Sequence, residues 1–210
     1  MRFWILPLLS LLLVACQSAT PGASAPAGYP AMGPLLDRVA QSLQAQEAAA
    51  AQFQSTAQQL SRWANPGNQG LQTLYDATVT DYNASIDAAV TMGSSVDAVD
   101  AAANTIFQQW QIEIEVYTDP VLKAENKAKL EASWQRYASL IQVLRQTTGQ
   151  VNPVLAQLNQ DVTHLRQNLN ENALASRQRE LEATINAIGA LVEQINAAAS
   201  ASRSYIQSMQ

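Results

Sequence analysis

The chain has 210 residues, 48% of them hydrophobic and 14% charged, with a formal net charge of −5. That length suits one domain or one elongated bundle. The acidic balance excludes an electrostatic nucleic-acid binder, because neutralising phosphates needs clustered Lys and Arg, and it offers no attraction to anionic lipid headgroups. Ala and Gln are abundant, Gly is scarce beyond residue 33 and β-branched runs are nearly absent, which is a helical composition.

The chain begins with Met1-Arg2, a one-charge lead, followed by Phe3 to Val14, apolar apart from Ser10 and carrying Pro7. A membrane-spanning helix needs about 20 apolar residues, so this run fits a secretory signal over residues 1–15. Leu13-Val14-Ala15-Cys16 closes it with the single cysteine of the chain. That stretch resembles a bacterial lipobox. The resemblance implies cleavage before Cys16, a diacylglyceryl group on its thiol and an acyl chain such as palmitate on the new amine. An uncleaved anchor with a buried cysteine is the alternative. Two or more acyl chains hold a protein firmly, whereas one binds reversibly. Gln17 and Ser18 follow, and the lack of Asp at position 17 resembles lipoproteins sorted to the outer membrane of a diderm host, with the domain facing the periplasm. Acylation of Cys16 would leave no thiol for a disulfide or for redox chemistry.

Residues 16–34 then form a separate segment in which small residues, Pro and Gly dominate and nothing repeats at helical spacing. This composition predicts a flexible tether with a reach of about 25 Å.

From residue 35 onward apolar residues recur three and four apart, the signature of amphipathic helices. The spacing predicts helices over about 35–64, 69–117, 120–169 and 172–209. The first carries Leu36, Val39, Leu43, Gln46, Ala50, Phe53, Ala57 and Leu60 and stops where Asn65-Pro66-Gly67-Asn68 breaks the chain. The second runs from Leu71 to Tyr117 and keeps its phase through Gly93, which predicts one long helix with a weak point; two helices capped at Ser94 or Ser95 are the alternative. Asp119 is placed to cap the third helix, with Pro120 in its first turn. The third stripe reads Leu130, Ser133 or Trp134, Tyr137, Leu140, Leu144, Thr147, Val151, Val154, Leu158, Val162, Leu165 and Leu169. It survives Gly149 to Pro153, predicting a kink there rather than a break. The fourth helix has the cleanest heptad: Leu181, Ile185, Ile188, Val192, Ile195, Ala199 and Ser202 lie along it.

Four helices joined by short turns run antiparallel. The fold class is therefore all-α: an elongated antiparallel four-helix bundle over residues 35–210. The middle helices, about 70 Å long, outrun the outer two and leave a projecting coiled-coil hairpin. Across its turn residue i lies near roughly 237 minus i, which sets Trp134 against Ala103 and Phe107 against Leu130.

Chemistry is sparse. His164 is the single histidine, with Asp161 one turn before it. A di-iron bundle needs two carboxylate–histidine pairs and further carboxylates, and no free thiol remains for zinc, so a capped or solvated polar pair is the better reading. No catalytic residue, cofactor site or metal site is expected: there is no Ser-His-acid set and no Gly-rich phosphate loop. Glu113, Glu115, Asp119, Glu125 and Glu131 surround the hairpin tip with Lys123, Lys127 and Lys129, either as helix-surface pairs or as a docking patch. Trp110, Trp134, Tyr117 and Tyr137 suit hairpin packing better than a ligand cage.

Phe107 to Trp110, Tyr117, Arg136-Tyr137 to Leu140-Ile141, Pro153-Val154-Leu155, and above all Asp161-Val162 with Leu165 to Leu169-Asn170 and Ala173 to Ser176 carry a resemblance. They are similar to an uncharacterised proteobacterial lipoprotein family, domain of unknown function 2959. The resemblance spans most of the mature chain. It implies a helical envelope lipoprotein with no assigned activity and transfers no site residue. The expected partners are a membrane, through Cys16, and an envelope protein or a second copy of the chain. The expected role is a structural or protein-interaction module, and the alternative is a small-molecule-binding or enzymatic periplasmic bundle, which narrow Ala-rich helices leave little room for.

Overall fold

The computed structural model describes residues 30–64, 66, 70–167 and 169–209. The expected signal peptide, Cys16 and the tether up to residue 29 lie outside the described residues, as do Asn65, Gly67, Asn68 and Asn168 of the two short turns. Among the described residues the chain is almost entirely helical and contains no strand. Five helices follow in order: α1 (Gly33–Ser61), α2 (Leu71–Glu115), α3 (Pro120–Gly149), α4 (Val151–Gln167) and α5 (Glu171–Ser208). Short 3₁₀ turns, Pro30–Met32 and Arg62–Ala64, flank α1.

Helix α1 begins two residues earlier than its apolar pattern indicates. Pro34 supplies the fixed φ of a first turn, and Met32 ahead of it is buried. The last residues assigned to the tether, 30–34, thus belong to the bundle. Helix α2 runs 45 residues without interruption through Gly93, because Met92, Val96 and Val99 on either side are all buried in one stripe.

The expected single helix over 120–169 is two. The α-helical ladder stops at Gly149 and resumes at Val151. Pro153 has no N–H to offer the carbonyl of Gly149 four residues back, and Gln150 N–H tightens instead onto Thr147 O at 3.1 Å. Gln150 keeps right-handed angles, φ −83° and ψ −11°. The buried stripe therefore crosses the gap in phase, through Leu144, Thr147, Val151 and Val154.

Helix α1 packs chiefly between α2 and α5, with α3 and α4 completing the bundle against the same two neighbours. Two core clusters are stacked along the length. One holds Phe53, Leu60, Trp63, Leu74, Leu158 and Ile188. The other holds Leu35, Val99, Trp110, Tyr137, Leu140 and Tyr205. The inward faces of α1 and α5 are turned by one residue from their most apolar line. Leu35, Ser42, Ala49 and Thr56 are buried where Leu36, Leu43 and Ala57 are only half-buried; likewise Thr184, Leu191 and Tyr205 are buried in place of Ile185, Val192 and Ile206. At Ser42, Ala49, Thr56 and Thr184 the inward position is taken by a small residue, and at Ser42 and Thr184 a larger apolar neighbour, Leu43 or Ile185, lies beside it.

A polar seam threads this core. Gln46 Nε2 donates to Ser42 Oγ at 3.0 Å and Ser202 Oγ at 3.3 Å, and Ser95 Oγ donates to Ser42 Oγ at 3.1 Å. Thr56 and Ser85 hydroxyls meet at 2.8 Å, and Trp63 Nε1 donates to Thr78 Oγ1 at 2.9 Å. Buried polar groups need such partners. Because their positions are discrete, they also fix helix register.

Candidate functional site

The end of the α2–α3 hairpin is the part of the surface that departs most from a solvated helix exterior. Its shape follows from register. Ser42 on α1 meets Ser95 on α2, and the two helices run antiparallel, so Met32 falls opposite about Thr105. Helix α2 continues from there to Glu115 with only α3 beside it. Between these two helices Phe107, Trp110 and Ile114 are buried. The turn ends on Asp119, whose Oδ1 accepts from Val121 N at 2.8 Å and Leu122 N at 3.3 Å. Asp119 is thus the N-cap that its position ahead of Pro120 indicates.

The hairpin keeps the expected register. Asp100 accepts a hydrogen bond from Tyr137, and a groove is lined by Asn104, Phe107 and Gln111 on one side and Leu130 and Trp134 on the other. One pairing is different. Trp134 does not lie buried against Ala103. Ser133 takes the inward position, at 1% exposure, and Trp134 sits on the flank at 38%. There Trp134 meets the Phe107 ring edge-on, 5.1 Å between centroids at 80°, and Tyr137 completes the cluster at 5.6 Å from each ring. These are ordinary packing geometries for aromatic pairs. They leave a groove of about 340 Å³, near the lower bound of small-molecule pockets.

The charged residues at the tip are largely paired. Lys123 Nζ lies 2.8 Å from Glu115 Oε2, and Lys127 Nζ lies 3.2 Å from Oε1. Hydrogen bonds from both lysines hold the Glu115 carboxyl below its usual value. Around these pairs stand large apolar side chains in solvent: Ile112, Val116, Tyr117, Val121 and Leu122, with Val116 at 76% exposure. Among the described residues Val90 is the one other exposed large hydrophobic apart from Trp134. The charge pattern of the tip does not mark this patch. Its signal is legible nonetheless: Ile112, Val116, Val121 and Leu122 lie off the buried stripe yet cluster around one turn.

The other singled-out residues are not brought together there. Asp161, expected to be capped or solvated, is buried on α4, accepting from Thr184 Oγ1 on α5 with Arg177 at 3.9 Å. His164 is exposed on the same helix. Among the described residues no group of three or more His, Cys, Asp or Glu is placed to hold a metal ion, and no helix is long and apolar enough to cross a membrane. A second groove, of about 420 Å³, lies between α3 and α5 beside Arg136, Leu140 and Tyr205. Burial pushes the Tyr205 phenol up to about 12.

In comparison with known proteins, residues 23–209 match the family described as protein of unknown function (DUF2959). No curated protein and no solved structure matches the chain.

Proposed function

Because the chain belongs to the DUF2959 family, whose description assigns no activity, its role is argued from its own surface, and we propose that it is a non-enzymatic, lipid-anchored module of the cell envelope whose working part is the projecting hairpin. One observation carries this reading: the exposed large apolar side chains gather at the end of the hairpin, where no other helix covers them. Contiguous apolar exposure on an otherwise polar surface is a mark of recognition. The anchor part rests on the lipobox-like Leu13-Val14-Ala15-Cys16, and the outer membrane is the bilayer that Gln17 and Ser18 favour.

Two measurements test it. Cys16→Ser should release the protein from the membrane fraction and shift its migration; unchanged fractionation and mobility would remove the anchor. Replacing residues 108–129 with a short glycine turn, which rejoins α2 and α3 in register, should abolish the phenotype of the full chain while preserving helicity. A fully functional shortened chain would reduce the hairpin to scaffold.

A further inference from the structure

The hairpin tip and the start of the folded chain share one end of the bundle. Helix α1 starts opposite about Thr105 of α2, as the Ser42–Ser95 contact fixes. From that level α2 extends ten residues to Glu115, about 15 Å at 1.5 Å per residue. The start of the folded chain and the hairpin tip therefore lie at the same end of the bundle. The opposite end, where α1 gives way to the Arg62–Ala64 turn, is the 29-residue length of α1 away, about 43 Å. A flexible coil of the length between Cys16 and Pro30 reaches about 20 Å, enough for the 15 Å by which the tip projects and about half of the distance to the opposite end. A lipid on Cys16 thus sits within easy reach of the plane that the tip faces.

The chemistry of the tip suits that plane. Ile112, Val116, Val121 and Leu122 offer branched aliphatic groups, and Tyr117 combines an apolar ring with a polar end, the side-chain type favoured at membrane–water interfaces. The Glu115 charge is matched by Lys123 and Lys127, and the Asp119 carboxylate is bonded to the first amides of α3. Lysine stems can lie along an apolar surface with their ammonium groups in water. Acidic residues offset the lysines, so apolar contact rather than headgroup charge is the driving term.

We propose that the hairpin tip, through Ile112, Val116, Tyr117, Val121 and Leu122, docks into the surface of the same lipid bilayer that holds Cys16, giving the protein a second, non-covalent membrane contact. This rests on the reading that Cys16 is lipidated. The tip contact alone is weak, whereas the multiply acylated anchor holds firmly and makes the tip contact intramolecular, which raises its apparent affinity by on the order of 10²–10⁴.

The test uses the full chain purified from membranes and reconstituted into phosphatidylcholine vesicles. Tyr117→Cys carries an environment-sensitive fluorophore, and Gln58→Cys on α1 carries the control; the acylated Cys16 leaves no competing thiol. Flotation with the vesicles and the acylated mass report the anchor separately. The expected result is a blue-shifted label at position 117, quenched several-fold by spin-labelled lipid, with no change at position 58. Val116→Ser, Val121→Ser and Leu122→Ser combined should abolish the shift without altering helicity. In a Cys16→Ser background the same signal should require roughly 100-fold more lipid. A floating, acylated chain whose label at position 117 stays solvent-like overturns tip docking and leaves the anchor intact. A blue shift at position 117 without lipid identifies a protein surface, a second copy of this chain, and also overturns it. A chain that carries no acyl group and does not float removes the anchor reading itself.

Discussion

The Tyr137 hydroxyl donates across the α2–α3 seam to Asp100, and Arg145 holds the other oxygen of the same carboxylate at 2.6 Å. Two residues of α3, two turns apart, thereby converge on one side chain of α2 just below the projecting part of the hairpin. The Tyr137 ring is simultaneously packed on Phe107 and Trp134. Burial, then the Asp100 carboxylate, raises the Tyr137 pKa above its usual value, so the phenol stays protonated and keeps donating.

Tyr137→Phe should retain the ring packing and lose the hydrogen bond, costing about 1 kcal/mol. Tyr137→Ala should cost about 3–5 kcal/mol, because a fully buried ring is removed. Thermal melts of both variants check the ordering. Equal losses would mean that the hydrogen bond, not the ring, holds the seam.

Gly93 lies inside α2, and a Cβ built there meets no atom within 4 Å. Gly93→Ala should stabilise the protein by about 1 kcal/mol through helix propensity alone. For a chain of this size that raises Tm by about 2–4 °C. A lower Tm would show that the break in propensity at this position is used by the native state.

Burial raises the Asp161 carboxyl above its ordinary value, against the Thr184 hydrogen bond and the Arg177 charge. Folding therefore favours the protonated form. That contribution is complete below the ordinary value of 3.8 and is lost as pH rises through the raised one. Asp161→Asn keeps an acceptor for Thr184 and removes the buried charge. The variant should melt a few degrees higher at neutral pH, with the gap closing as pH approaches about 4. A variant less stable than its parent at neutral pH would show that pairing with Arg177 outweighs desolvation.

Gln46 is 1% exposed and spends its amide group on Ser42 and Ser202, while its Oε1 finds no hydrogen-bond partner among the described residues. Ser42 and Ser202 keep other bonds, to Ser95 and to the Ala198 carbonyl. Gln46→Leu should therefore change stability by less than about 1 kcal/mol. Its cost should fall on uniqueness, seen as extra or broadened amide resonances from α1 and α5. A loss above about 2 kcal/mol with sharp spectra would assign Gln46 to stability instead.

The helices, their order and the hairpin register were legible in the sequence because period and turn chemistry are local. Asp119-Pro120 announces a cap, and the phase through Met92 and Val96 carries α2 past Gly93. What escaped is what depends on neighbours. Ser42 and Thr56 enter the core because α1 is flanked by both α2 and α5 and its line of closest approach wants small side chains. Ser133 wins over Trp134 for the same reason: only the smaller residue fits between the helices, and the indole finds Phe107 on the flank. The separation of α3 from α4 at Gln150 turns on one missing N–H at Pro153, where periodicity alone cannot distinguish a bend from a gap. The apolar tip escaped because Ile112, Val116, Val121 and Leu122 lie off the helical period of the buried face, and only the turn brings them together.

The uninterrupted α2 also has a mechanical meaning. It shares the first core cluster with α1 at one end, the second in the middle, and ends in the hairpin turn. A tension applied between the start of α1 and the tip runs parallel to the seam of two antiparallel helices. Because the start of α1 and the tip lie at one end of an antiparallel pair, such a pull reaches the Ser42–Ser95 contact first, then Thr56–Ser85 and then Trp63–Thr78, and peels them in turn. The seam therefore opens from the hairpin end, and its three contacts would share a load only when the pulling points lie at opposite ends of the bundle.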